Sequence, residues 1–324
     1  MTAMIEPFHA MSVAALAQRL KAEGRSVIHM EFGQPSTGAP QAAIAAAHRV
    51  LDSDPMGYWE SQPLKMRICQ HYADTYGVTL NPAQIVLTCG ASPALVLALS
   101  TSFAPGARVA VARPGYVAYR NTLRTLHMEP VELDCGADER FQLSAAALAA
   151  LDPAPAGVIL ASPANPTGTI IPRDELEAIA AVCTARAITI VSDEIYHGIA
   201  YGMPTPSVLE VAPQALVINS FSKYFSMAGW RLGWLVVPES GIDAARARMG
   251  SLFSYPAQPG TARCAGGDGL HRRTAGQYRN VRPQSRAAAC SDARSWSGPY
   301  RPARRCVLCL RRCQRFHRRF DAAL

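Results

Sequence analysis

The sequence predicts an α/β protein built on a mostly parallel sheet. Short apolar runs rich in Val, Ile and Leu alternate with longer stretches of helical pattern. Runs such as Val158-Ile159-Leu160 and Ile188-Thr189-Ile190-Val191 are apolar without alternation, as in strands covered on both faces by helices. Polar residues of complementary kinds gather just past the carboxyl ends of these runs, where open α/β sheets place their ligand sites. A chain of 324 residues that is 49% hydrophobic can bury one large core or two smaller ones.

The elements follow in order. An amphipathic segment opens the chain, and Glu6 and Pro7 stand where a leader peptide would have a basic start and an apolar run. Strand 85–88 leads to a helical pattern over 93–100, strand 108–111 to one over 116–126, and strand 157–161 to one over 173–186; strands 188–191, 216–219 and 232–237 follow. Pro172, ahead of Arg173-Asp174-Glu175-Leu176, suits a helix start: its missing N–H is not needed there, and the two acids face the positive helix end. There is no internal repeat, no GxxxxGK phosphate loop and no stretch of about 18 uncharged apolar residues. A soluble, cytoplasmic protein with no membrane partner is expected.

Charge divides the chain at Tyr255. The body has 17 Lys and Arg against 21 Asp and Glu, net −4, while residues 256–324 hold 15 Arg, no Lys and three acids, net +12. The overall +8 is therefore a property of the tail and gives no reason to expect a nucleic-acid partner for the body. Cys69, Cys89, Cys135 and Cys183 are scattered through the body and read as reduced, small apolar residues.

Four segments carry the chemistry: Thr88-Cys89-Gly90-Ala91-Ser92, Ala161-Ser162-Pro163-Ala164-Asn165-Pro166-Thr167-Gly168, Val191-Ser192-Asp193-Glu194-Ile195-Tyr196, and Ser220-Phe221-Ser222-Lys223 running on to Gly229-Trp230-Arg231-Leu232-Gly233. From about Ile5 to Tyr255 the chain resembles the class I/II aminotransferases of the fold-type I pyridoxal-phosphate superfamily. The resemblance implies a large domain with a mostly parallel, seven-stranded sheet over residues 41–255, preceded by an amino-terminal segment over 1–40. It also implies pyridoxal 5'-phosphate as cofactor, an amino acid and a 2-oxo acid as substrates, and a homodimer.

Residue chemistry supports the roles that the resemblance implies. An aldehyde cofactor needs an amine, and Lys223, after an apolar run and among Phe221, Tyr224 and Phe225, can supply one once burial lowers its pKa. The ring nitrogen must stay protonated, which a buried Asp193 would ensure, while Tyr196 and Asn165 would bond the ring hydroxyl. Arg231, eight residues after Lys223, matches the family's phosphate arginine. The amides of Ala91 and Ser92, at a helix start, would share that phosphate, with the Ser220 and Ser222 hydroxyls. Tyr116 matches the aromatic that stacks on the ring. Gly33 and Asn165 would lie on the substrate side, and Tyr58 would reach the partner subunit's phosphate. With these parts, Lys223 would move the substrate Cα proton during transfer of an amino group from an L-amino acid to a 2-oxo acid. A lyase uses the same parts, and a catalytically inactive binding protein on this fold is a further alternative.

Family members continue with a small domain whose arginine grips the substrate carboxylate. Here residues 256–324 are rich in Arg and Cys and aperiodic, and disorder is expected. Read one base out of frame, Val281, Gln284 and Ser285 become compatible with Tyr-x-x-Asn-Arg. The codons from Arg304 to Arg312 then permit Asp-Gly-Ala-Phe-Tyr-x-Tyr-x-Asp. Both motifs belong to the family, so a frameshift near 256–263 is the expectation for the tail. The rival reading is an Arg-rich nucleic-acid arm, or a metal site at Cys306, Cys309, Cys313 and His317. A single CxxC and arginines without a scaffold are weak grounds for either.

Overall fold

The computed structural model describes residues 9–54, 57–58 and 60–253. The expectations of disorder, a shifted frame, a nucleic-acid arm or a metal site in the tail all fall outside those residues.

Three helices come first: α1 (His9–Ala22), α2 (Gln41–Ser53) and α3 (Gln62–Tyr76). The α/β alternation follows as β1 (Ile85–Thr88), α4 (Ala91–Ser102), β2 (Arg108–Arg113), α5 (Val117–Thr125), β3 (Glu129–Asp134) and α6 (Ala145–Ala149). It continues with β4 (Gly157–Ala161), α7 (Arg173–Ala185), β5 (Thr189–Asp193), β6 (Leu216–Ser220), β7 (Gly233–Val236) and α8 (Ile242–Leu252). Local signals set the helix ends. Ser61 accepts a hydrogen bond from the Leu64 amide at the start of α3, and Gly77, with φ +68°, ends it in the left-handed conformation. Helix α7 begins directly after Pro172, with Asp174 and Glu175 in its first turn, as the sequence predicts.

The strands form one seven-stranded sheet in the order β1-β7-β6-β5-β4-β2-β3. Its apolar runs are buried on both faces. Val158 and Leu160 of β4, Val217 of β6 and Trp234 of β7 join α3 and α7 in one cluster, through residues such as Ile68, Tyr72 and Ile179. Ile159, Ile218 and Leu235 point the other way, to Leu95 and Leu99 of α4, Leu123 of α5 and Met249 of α8. A period of two thus splits each apolar run between two helical layers. Each large side chain fully buried there contributes about 1.5–3 kcal/mol.

Strand β3 was not among the runs read from the sequence. Glu129-Pro130-Val131-Glu132-Leu133-Asp134 mixes charges and a proline into the run, because it is the sheet edge, paired only with β2. Pro130 and the Arg120–Glu132 ion pair, at 3.1 Å, are features that keep such an edge from pairing with another chain.

Direction places the site. Strands β2 to β6 pair parallel along the series, and β7 is antiparallel to both β6 and β1, so β1 runs with β6. The carboxyl ends of β1, β2, β4, β5 and β6 therefore lie on one rim with the amino end of β7. Thr88 and Ser220 both register with Gly233, which brings the residues before β7 to that rim.

Candidate active site

The chain has three lysines, Lys21, Lys65 and Lys223. Lys21 is exposed at the end of α1, and Lys65 is 0% exposed and tied to Glu60 at 2.8 Å. Lys223, just past β6 on the rim, is half-buried. Its Nζ donates to the Gly33 carbonyl at 2.8 Å and lies 5.5 Å from the centre of the Tyr196 ring. Burial lowers its pKa, and the Asp193 carboxylate opposes that shift. Gly33 thus meets Lys223. Thr37 and Ser226, whose hydroxyls lie 2.6 Å apart, pin the same amino-terminal stretch to the loop after Lys223.

Asp193 ends β5 and is 7% exposed. Tyr119 donates to its Oδ2 at 2.8 Å, and the Ile195 amide donates to Oδ1 at 3.1 Å. Burial raises its carboxyl to about 6 against the pull of these two bonds. Tyr196 and Asn165 are joined by a side-chain hydrogen bond, and burial pushes the Tyr196 phenol to about 12. Tyr116 lines a small cleft with Asn165, Pro114 and Ala161, and meets Tyr119 edge-on at 5.4 Å. Its phenol is raised by burial and by the Asp193 charge.

The other half of the site lies where β7 enters the sheet. Arg231 donates from Nη1 to the Ala228 carbonyl at 2.9 Å and from Nη2 to the Cys89 carbonyl at 3.2 Å, which sets its guanidinium against the first turn of α4. Gly90 makes room for it. A Cβ at Gly90 would stand 2.5 Å from Arg231 Nη2, and the backbone there, at φ +98°, suits glycine alone. Ala91 and Ser92 open α4 beside this guanidinium. Ser220 is buried: its hydroxyl reaches the Leu232 carbonyl at 3.0 Å and Ser222 Oγ at 2.7 Å, so it braces Ser222 from within. Tyr58 is 90% exposed.

Tyr119, which bonds Asp193, is absent from the residues that the sequence singles out. It follows Tyr116 by three residues in a helical stretch, a spacing that puts both phenols on one face. That was the available signal. Glu194 and His197, both buried beside the rim, were also missed, since an acid and a histidine following Asp193 look like ordinary loop residues.

The donor set fits pyridoxal phosphate: an amine with lowered pKa near a buried carboxylate, a paired phenol and amide, and an arginine over a glycine cradle at a helix start. This defines a pyridoxal-phosphate-dependent protein of fold-type I. The family profile described as "Aminotransferase class I and II" matches residues 25–291, and the chain belongs to that family. The match continues past Tyr255 into the Arg-rich tail. Among curated proteins, the chain is 45% identical over 240 residues to a valine–pyruvate aminotransferase of Mycobacterium tuberculosis, covering 72% of this chain and 62% of that one. It is 32% identical over 251 residues to an aspartate aminotransferase of Geobacillus stearothermophilus, covering 75% and 64%. The chain thus spans less than two thirds of the length of these relatives. Among solved structures, an aminotransferase from Mycobacterium tuberculosis superposes with a TM-score of 0.83 at 39% identity, over 86% of this chain and 74% of that one. The Thermus thermophilus aspartate aminotransferase with maleate gives 0.83 at 25% identity, over 89% and 77%.

Proposed function

We propose that the chain transfers an amino group between an L-amino acid and a 2-oxo acid with pyridoxal phosphate, and that valine and pyruvate are the pair to assay first. The observation that carries this reading is the convergence of Lys223, Asp193, the Asn165–Tyr196 pair and Arg231 on one sheet rim. The relative at 45% identity supports the choice of substrates. When bound, the cofactor supplies an aldehyde that accepts amines and a pyridinium ring that withdraws electrons from the bond being broken.

The chain's residues would do the rest. Arg231 and the first amides of α4 would bind the phosphate, with Ser222 beside them. Asp193 would keep the ring nitrogen protonated, and Tyr119 keeps that carboxylate oriented. Tyr196 and Asn165 would donate to the ring oxygen, and Tyr116 would pack on the cofactor. Lys223 would hold the cofactor through its amine and, once an incoming amine replaces it, would accept the substrate Cα proton as a free base and release it again as an ammonium. Its lowered pKa leaves more free amine near neutral pH for both tasks. Gly33, against Lys223, borders the substrate. A homodimer is part of the reading: the exposure of Tyr58 leaves it available to a second subunit's phosphate. Among the described residues no helix is long and apolar enough to cross a membrane, and the four described cysteines are free, in keeping with a cytoplasmic enzyme.

The test is to titrate the purified 324-residue chain with pyridoxal phosphate, reduce with borohydride and map the label. Visible absorbance and cofactor mass on the peptide containing Lys223 are expected, with amino transfer from valine to pyruvate. Label on Lys21 or Lys65 instead would overturn the site. Absorbance without turnover on any amino acid would leave a cofactor-binding protein that is not a transferase. Gly90→Ala gives a sharper check of the phosphate cradle. A methyl group there must displace Arg231, so cofactor affinity should fall about tenfold or more, with a stability loss of about 1–3 kcal/mol from the strained backbone. Unchanged affinity would mean that Arg231 does not hold the phosphate from this position.

A further inference from the structure

We propose that His197 is a positioning residue, held by Tyr76, that fixes the Ser162–Pro163 turn and so keeps Asn165 in place against Tyr196. The inference rests on the cofactor reading above, and its geometry is independent of it. His197 is buried beside the rim, one residue after Tyr196. One ring nitrogen, Nε2, lies 2.9 Å from the Ser162 carbonyl, which can only accept, so Nε2 carries the hydrogen. The other, Nδ1, then accepts from the Tyr76 hydroxyl at 2.7 Å. This fixes one neutral tautomer, in the way that a partner on one imidazole nitrogen commonly sets the other.

The charged neighbours agree with that tautomer. Glu194 Oε2 is 3.6 Å from Nδ1, but its carboxylate is taken up by the Ser207 hydroxyl at 3.0 Å and the Val208 amide at 2.8 Å. Glu210, the other acid near the ring, is paired with Arg173. Burial lowers the imidazole to about 4. A neutral ring is therefore the working form at physiological pH.

The Ser162 carbonyl is a useful place to hold. Beyond it the chain makes the Asn165 turn, closed by Ala164 N to Thr169 O at 2.9 Å and Gly168 N to Ala164 O at 2.7 Å. Gln142 Nε2 ties Ala161 and Thr169 together from outside, and Ser162 Oγ receives the Ile171 amide. His197 grips the turn from the side of Tyr196, joining the strand end that bears Asn165 to the segment that bears its partner. The imidazole also borders a cavity of about 560 Å³ lined by Tyr76, Asn219, Tyr224 and Trp234.

The experiment compares the full chain with His197→Phe and His197→Gln. In H197F both bonds are lost; in H197Q the amide can still donate to Ser162 and accept from Tyr76. Three readouts apply: melting temperature, the pH midpoint of the bound cofactor's visible absorbance, and exchange of the Ala164 and Gly168 amides in cofactor-free protein. H197F should raise the midpoint by about half to one pH unit, the scale of one hydrogen bond, and speed exchange about tenfold. H197Q should restore most of both. If H197F does not fold, Tyr76→Phe, which removes one hydroxyl, should move both in the same direction by less. A lowered melting temperature with the midpoint and exchange unmoved would overturn the proposal and leave His197 a structural residue. If wild-type protein shows no cofactor absorbance, the functional reading fails while the exchange comparison still decides whether His197 holds the turn.

Discussion

Replacing Lys223 with alanine is expected to lower amino transfer by at least about 10³-fold, because one side chain serves as both the cofactor's attachment point and the group that moves the Cα proton. The fold should survive. Lys223 is half-buried, its burial disfavours its charge, and the Gly33 carbonyl it bonds is solvent-accessible and can turn to water. Thermal stability within about 1 kcal/mol of wild type is therefore expected. Single-turnover rates and melting curves on the same preparation check both halves. Loss of folding together with activity would mean that Lys223 is a structural residue, and retained turnover would move the chemistry elsewhere.

Asp193→Asn should be nearly as damaging, by a different route. An amide in place of the carboxylate leaves no anion to hold a proton on the ring nitrogen. Removing one partner of a buried charge pair costs about 3–5 kcal/mol, or about 10²–10⁴ in rate. The same variant should change how stability depends on pH. In cofactor-free protein the Asp193 carboxyl sits at about 6, above its ordinary value of 3.8. Its contribution to stability is therefore full below about 4 and is lost as pH rises through about 6, a swing of roughly 3 kcal/mol. Asparagine has no such swing. Its amide can keep both partners, accepting from the Ile195 amide through Oδ1 and donating from Nδ2 to the Tyr119 hydroxyl, which accepts as well as donates. Relative to wild type the variant should therefore gain stability between pH 5 and pH 7, by about 1 kcal/mol, as the remaining part of the wild-type swing is lost. Glu194, raised to about 7, and His197 titrate in the same range, so the difference between variant and wild type is the quantity to compare. A difference that does not change between pH 5 and pH 7 would show that Asp193 is not burdened by burial in the free chain.

Much of this was legible in the sequence because central parallel strands announce themselves. The runs at 157–161 and 216–218 are apolar throughout, and polar residues follow them toward the rim. Strand β3 was missed for the opposite reason: an edge strand needs only one covered face, and its charges and Pro130 resemble a loop. The roles of Asp193, Asn165, Tyr196 and Arg231 could be proposed from motif and chemistry, since each must be of its residue type. Tyr119 and His197 act through other residues, and nothing in a linear chain marks position 119 as the partner of position 193. Their contacts exist only after the sheet brings distant segments together.

The reversed strand β7 also affects the order in which the rim is assembled. Lys223 and Arg231 lie in the one loop that joins β6 to β7, eight residues apart, so a local antiparallel pairing is enough to set their separation. The contact of Arg231 with the Cys89 carbonyl spans 142 residues, and that of Tyr119 with Asp193 spans 74. Contacts within a hairpin form with little loop-closure entropy, whereas these others wait for the parallel crossovers to close. The spacing of the amine and the guanidinium is thus a local property of the β6–β7 hairpin, whereas the placement of Arg231 against the Cys89 carbonyl depends on the whole sheet.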